Sequence, residues 1–222
     1  MKVKVVAYTQ PYELKFTAED FISYVARVSN PLNQNNTLTS NKLLEYLVRN
    51  QHWSPFEMAH VVMEINTTRD IARQILRHRS FSFQEFSQRY ADPTEDLGFV
   101  TRDSRLQDPK NRQNSIENDD FKLLDDWKEK QAKVINESLG AYNWALRHGI
   151  AKEQARAVLP EGLTMSRLYM AGSVRSWIHY CQLRMANGTQ KEHREVAESC
   201  WINLLEIYPV LSGIIETNEK EK

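Results

Sequence analysis

From Asp120 to Gly149, Phe121, Leu124, Trp127, Val134, Leu139, Tyr142 and Leu146 recur at a spacing of roughly three to four residues. That period puts apolar side chains on one face of a helix, and it runs longer here than anywhere else in the chain. The other strong pattern has a period of two. Val61, Met63 and Ile65 alternate with Val62 and Glu64, and Val3, Val5 and Ala7 alternate with Lys4, Val6 and Tyr8 ahead of Pro11. Each predicts a short half-buried strand. A chain with both periods belongs to the α+β class. The expectation is a helix-rich single domain over 1–222, with a small central antiparallel sheet flanked by helices.

Local signals fill in the remainder. Thr17 and Asp20 form a capping-box pair before Phe21, Tyr24, Val25 and Val28. Leu43, Leu44, Leu47 and Val48 mark a second helix ending near Asn50. Thr68 precedes a helix with Ile71, Ile75 and Leu76 inside. Lys152 to Leu159 reads as a short helix stopped by Pro160, and Leu163 to Ala171 as a strand. Ser173 caps a helix through Met185, and Thr189 with Glu192 makes a capping box for the last one. Asp103 to Asp120 is polar and aperiodic, as in a surface loop or insertion. The charged tail after Glu216 is expected to fray.

Twenty-nine basic residues balance twenty-nine acidic ones in the 222-residue chain, so no global field attracts a nucleic-acid backbone. Any basic site is local. Cys181 and Cys200 have neither CxxC nor metal-ligand spacing, and no metal site is expected. The first residues, MKVKVVAYTQ, are too short and polar for a signal peptide, and no apolar run reaches membrane-spanning length. The expectation is a soluble, cytoplasmic protein.

The densest chemical signal is Arg69-Asp70-Ile71-Ala72-Arg73-Gln74-Ile75-Leu76-Arg77-His78-Arg79. If helical throughout, Arg69, Arg73 and Arg77 share a stripe, with Gln74 and His78 beside it. Such guanidinium groups repel unless an anion or a carboxylate sits among them. Two readings stay open: a phosphate site, which suits the arginine fork, or a basic face paired with acids elsewhere. The segment that follows, Ser80 to Tyr90, mixes Phe81, Phe83, Phe86 and Tyr90 with hydroxyl, amide and charged groups. That mixture suits a planar heterocycle carrying phosphate, and it is equally compatible with a half-buried strand whose Phe81 and Phe83 point inward.

Arg77-His78-Arg79, then seven residues, then Ser87-Gln88-Arg89-Tyr90 resembles the signature of flavin-dependent thymidylate synthases. The resemblance extends to His52-x-Ser54-Pro55-Phe56-Glu57, Glu153-x-Ala155-Arg156-x-x-Leu159-Pro160, Arg175-Ser176, Leu183-Arg184, and Gln190 with its acidic helix. These blocks keep the family's order over nearly the whole chain. The resemblance implies that Ser54, Glu57, Arg77, His78, Arg79, Glu85, Ser173, Arg175 and His179 contact FAD. It implies that Gln74, Arg77, Glu85, Phe86, Ser87, Gln88, Arg89, Arg156 and Arg184 hold dUMP. Arg184 would be the catalytic group, favouring the ionised uracil. NADPH and 5,10-methylenetetrahydrofolate are the implied co-substrates, and a homotetramer with shared sites the implied assembly. Ser173 and His179 stand where relatives often carry Asn, and 102–115 resembles an insertion that only some members have.

The apolar neighbours of Cys181 and Cys200 predict inert core thiols, so the implied chemistry runs without an enzyme nucleophile. Ser87 lacks a Ser/His/Asp arrangement and reads as a binding hydroxyl. Two competing functions draw on some of the same residues. A nucleic-acid module would stack bases on Phe81, Phe83, Phe86 and Tyr90. A metal hydrolase would draw on His52, His60, His78, His179 and His193, but it lacks a paired spacing such as HxxxH.

Overall fold

The computed structural model describes residues 1–214; the charged tail after Glu216 lies outside the described residues. Strand β1 (Lys2–Tyr8) leads to helix α1 (Ala18–Ala26) and helix α2 (Ser40–Arg49). Next come β2 (His60–Thr68), α3 (Arg69–Ile75), β3 (Ser82–Glu85) and a single turn, α4 (Pro93–Asp96). The segment 103–120 holds a two-residue hairpin, β4 (Leu106–Gln107) with β5 (Ser115–Ile116), before the long α5 (Phe121–Arg147). Last are α6 (Lys152–Ala155), β6 (Met165–Ser173), α7 (Val174–Met185) and α8 (Lys191–Ile207). The main sheet has the order β1-β2-β6-β3 and all its pairings are antiparallel. The expected α+β class is what the molecule adopts.

The period of two explains the sheet's two faces. Val61, Met63 and Ile65 pair with Gly172, Met170 and Leu168, and all six are buried. Against that face lie α7 and α8, contributing Trp177, Ile178, Cys181, Val196, Ala197, Cys200 and Leu204, each fully buried. The Trp177 indole N–H still finds an acceptor in the Val61 carbonyl at 3.0 Å. On the other face Glu64 sits between Lys4 (3.3 Å) and the Tyr169 hydroxyl (2.9 Å). Opposite-charge and hydroxyl pairs across strands stabilise this face, on which Lys4, Arg167 and Tyr169 are exposed.

Three local expectations need correction. The capping box at Thr17 and Asp20 forms, with both reciprocal bonds. The one at Thr189 and Glu192 does not: Gln190 is the N-cap of α8, and Glu192 accepts from the Gln190 amide instead. The predicted strand 163–171 is displaced to Met165–Ser173, because Pro160 and Glu161 open a turn in which Thr164 N–H returns to the Pro160 carbonyl. Helix α5 has the expected length, but its apolar positions are not all inside. Tyr142 and Ala145 pack on Ala155 and Leu159, whereas Phe121, Trp127 and Val134 are 82%, 43% and 47% exposed. The buried group midway along α5 is polar: the Gln131 amide pairs with both the N–H and the carbonyl of Arg102 at 2.8 and 2.9 Å. That pair anchors the start of the 102–115 segment, a role no apolar pattern reveals. Among the described residues, no helix is long and apolar enough to cross a membrane.

Candidate active site

The helix of the basic motif stops at Ile75, so only Arg69 and Arg73 share it. The expected stripe of three arginines does not exist. Ile75 and Phe81 are both buried. Continued helix would set them about 120° apart around its axis, turning Phe81 off the buried face of Ile75. A turn brings both inside, with His78 N–H bonded to the Ile75 carbonyl. Arg73 donates to Glu161 at 2.8 Å, and Arg69 lies 3.8 Å from Glu161 and 3.6 Å from Glu85. For these two the carboxylate-paired reading holds. Arg77 and Arg79 differ: both are exposed, and among the described residues neither side chain has an ion pair or hydrogen bond. The aromatic platform of a nucleic-acid module also fails, since Phe81 is buried against Trp177 and Tyr180.

His78 turns inward and meets Arg184 from the last turn of α7. The Arg184 Nε–H donates to His78 Nε2 at 2.9 Å, so the imidazole proton is on Nδ1. Burial, and then the Arg184 charge, push the His78 pKa down to about 4. A neutral imidazole therefore holds a guanidinium that has no carboxylate partner among the described residues. Glu192, in the first turn of α8, bonds to Gln190 and not to Arg184. Behind His78, Gln74 is bound by Gln190 (2.8 Å) and by the buried His193 (3.1 Å).

A second group forms where the 3₁₀ turn Ser54–Glu57 meets the start of α7. Glu57 accepts from the Ser173 hydroxyl at 2.5 Å and from Arg175 at 2.7 Å. The Ser173 bond is the main reason its carboxyl titrates below the usual range. Ser173 also caps α7 by accepting from Ser176 N–H, so its hydroxyl is committed to the protein on both sides. Arg175 keeps a buried Nε with no partner. His179, one turn on, stands edge-on to Trp53 at 5.2 Å, and burial lowers its pKa.

The remaining residues lie along and beyond β3. Glu85 accepts from Ser166 at 2.8 Å. Phe86 N–H makes a bond to the Arg167 carbonyl, after which Ser87 to Tyr90 turn away from the sheet. Gln88 is 3% exposed with its Nε2 unpartnered. Arg89 lies 3.3 Å from the Glu153 carboxylate, while Arg156 Nε–H donates to the Glu153 carbonyl at 3.3 Å. The sequence-predicted residues thus fall into separate groups: Ser54, Glu57, Ser173, Arg175 and His179; Gln74, His78 and Arg184 with Arg77 and Arg79 beside them; Glu85; and Phe86 to Arg89 with Arg156. Among the described residues no side-chain hydrogen bond or ion pair joins one group to another. Sequence reasoning missed His193, Tyr180, Gln190's contact with Gln74, and Glu153's hold on two arginines. Apart from the Glu153–Arg156 contact, three residues apart, these pairings join positions well separated along the chain, so no spacing announces them. Among the described residues no three His, Cys, Asp or Glu side chains converge on a metal position.

Arg77 and Arg79, exposed and without a partner among the described residues, and the buried unpartnered donors of Arg175 and Gln88 are groups suited to polar, anionic ligands on an α+β scaffold. Residues 4–210 match the family model for the thymidylate synthase complementing protein, Thy1. A probable flavin-dependent thymidylate synthase of Paramecium bursaria Chlorella virus 1 is 46% identical, over 97% of this chain and 99% of that one. The flavin-dependent thymidylate synthase of Synechocystis sp. is also 46% identical, over 97% of this chain and all of that one. Among solved structures, a UMP/dUMP methylase from Streptomyces cacaoi, bound with 5-Br dUMP, superposes with a TM-score of 0.75 at 26% identity. That match covers 94% of this chain and 91% of the other. The chain belongs to the flavin-dependent thymidylate synthases, a family of methyltransferases.

Proposed function

We propose that this chain methylates dUMP to dTMP with bound FAD, 5,10-methylenetetrahydrofolate as carbon donor and NADPH as reductant. The observation that carries the reading is a fixed cation with no accompanying nucleophile. Arg184 rests on a neutral imidazole, while both thiols are fully buried. Burial raises the pKa of each thiol, so neither forms a thiolate readily. Uracil then gains electron density at C5 by stabilisation of its ionised form rather than by covalent attack. Arg184 supplies that stabilisation, and His78 aims it by accepting its Nε–H.

The residues present fit a flavin dinucleotide. Arg77 and Arg79, unpaired among the described residues, offer guanidinium groups to its diphosphate, and the Arg175 Nε is a buried donor awaiting an acceptor. Ser54, Glu57, Glu85 and His179 complete the proposed flavin contacts, and Ser173, whose hydroxyl is spent on Glu57 and Ser176, serves the site by holding Glu57. When bound, FAD supplies the reducing equivalents that turn the transferred methylene into a methyl group, and NADPH restores them. Gln74, Phe86, Ser87, Gln88, Arg89 and Arg156 hold the nucleotide in this reading. Glu153 brings Arg89 and Arg156 to one place, as a phosphate needs. The working form is a homotetramer with shared sites. The exposed apolar side of α5 and the separation of the candidate residues within one chain support it.

Purified protein should be yellow and should consume NADPH only when dUMP and the folate are present, with dTMP as product. A colourless protein with no dUMP-dependent NADPH oxidation would remove this reading. Arg79→Ala is expected to lose much of its flavin on gel filtration while its melting temperature stays near wild type, since the side chain is exposed and unbonded. Full flavin absorbance after filtration would take Arg79 out of the site. The double variant Cys181→Ala/Cys200→Ala should keep turnover of the same order and lose only some core packing. A variant that folds and binds dUMP but makes no dTMP would restore a thiol to the mechanism.

A further inference from the structure

Behind the signature turn runs a chain of hydrogen bonds whose direction is forced from one end. The Glu192 carboxylate only accepts, so Gln190 presents Nε2–H to it at 2.8 Å and keeps its Oε1 for Gln74. Gln74 therefore offers Nε2–H to Gln190, also at 2.8 Å, and turns its Oε1 to His193. His193 Nδ1, 3.1 Å from that oxygen, must carry the imidazole proton. Its Nε2 then accepts from the Tyr180 hydroxyl at 3.2 Å. Both His193 and Tyr180 are buried, so water does not offer easy replacements. The ring of Tyr180 also packs edge-on against His78 at 5.0 Å, which links this chain to the Arg184 partner.

The result is an amide that cannot turn over without breaking bonds on both sides. It retains one unspent N–H on Nε2 and one unspent lone pair on Oε1. A uracil ring displays carbonyl oxygens beside an N–H, so a carboxamide of known orientation can read it, and a rotating one reads it poorly. We propose that His193 is a positioning residue: held by Tyr180, it fixes the Gln74 carboxamide in the single orientation that receives the pyrimidine of the nucleotide. This rests on the proposed dUMP reading, in which Gln74 touches the substrate and His193 does not.

The test is a double-mutant cycle on flavin-loaded enzyme, with dUMP affinity measured by calorimetry and KM and kcat by dTMP formation. His193→Leu keeps an apolar body in the core and removes both ring nitrogens. It should weaken dUMP binding about tenfold, the effect of one or two lost polar contacts, and the change should fall on KM rather than kcat. In a Gln74→Ala background the same substitution should change dUMP affinity no further. Additive losses, or wild-type affinity in the single variant, would overturn the proposal. If His193→Leu does not fold, Tyr180→Phe carries the cycle. It keeps the aromatic packing and deletes one hydroxyl, with an expected loss of about threefold that disappears when Gln74 is alanine. Flavin-loaded wild type that binds no dUMP overturns the substrate reading and this inference together. Wild type that binds dUMP while the variants add independently overturns the inference alone.

Discussion

Arg184→Ala is expected to lower dTMP formation at saturating dUMP by about 100- to 1,000-fold, the usual effect of removing one donor to a developing anion. Saturation matters because it separates transition-state stabilisation from binding: a loss confined to KM would mean uniform binding only. The structure sharpens the expectation. No carboxylate among the described residues neutralises Arg184, and its Nε–H is spent on a neutral acceptor, so its full charge is available to the substrate. The variant should also move His78. Burial is the larger cause of its low pKa and will persist, but the second cause, the Arg184 charge, will be gone. The His78 titration should therefore rise from about 4 toward 6.5 without reaching it. NMR of the ring protons reads that shift independently of turnover. Normal turnover in a folded variant, with His78 unmoved, would reassign Arg184 to a passive role.

Gly172→Ala should destabilise the protein by about 1–3 kcal/mol, the ordinary cost of overpacking a filled core. The added Cβ would come within 2.6 Å of Phe81 Cε1, and nearer still to Cδ1. Phe81 has little room to retreat: it packs edge-on against Trp177 at 4.9 Å and Tyr180 at 5.9 Å. At roughly 2–4 °C per kcal/mol for a chain of this size, the melting temperature should fall by about 2–12 °C. Flavin retention should fall with it, because Phe81 holds the end of the turn that carries Arg77 and Arg79. Shortening the obstructing ring in Gly172→Ala/Phe81→Leu should recover part of the loss. A single variant that melts like wild type would show that the backbone of β6 yields where the packing says it cannot.

Elements with a strong local period were legible. The two strands that alternate, the capping box at Thr17 and Asp20, the Ser173 cap and the length of α5 all follow from side chains within a few residues of one another. The stop of α3 at Ile75 was not, because Phe81 is drawn inward by packing against Trp177 and Tyr180, far downstream in the chain. The failed box at Thr189 has a similar origin, since Glu192 and Gln190 are drawn into the bonds around Gln74.

The sequence by itself determined the class of the fold, the family and the motif residues that make up the candidate site, since ordered motifs and hydrophobic period are properties of the chain. Tertiary structure alone decided the charge state and aim of those residues. It paired Arg69 and Arg73 with Glu161, left Arg77 and Arg79 without a partner among the described residues, and set a neutral His78 against Arg184. The physical reason is range: helical and strand periods are set by neighbours a few residues apart. A hydrogen bond, an ion pair or a buried proton depends on which groups the fold brings within about 3–4 Å, whatever their separation along the chain.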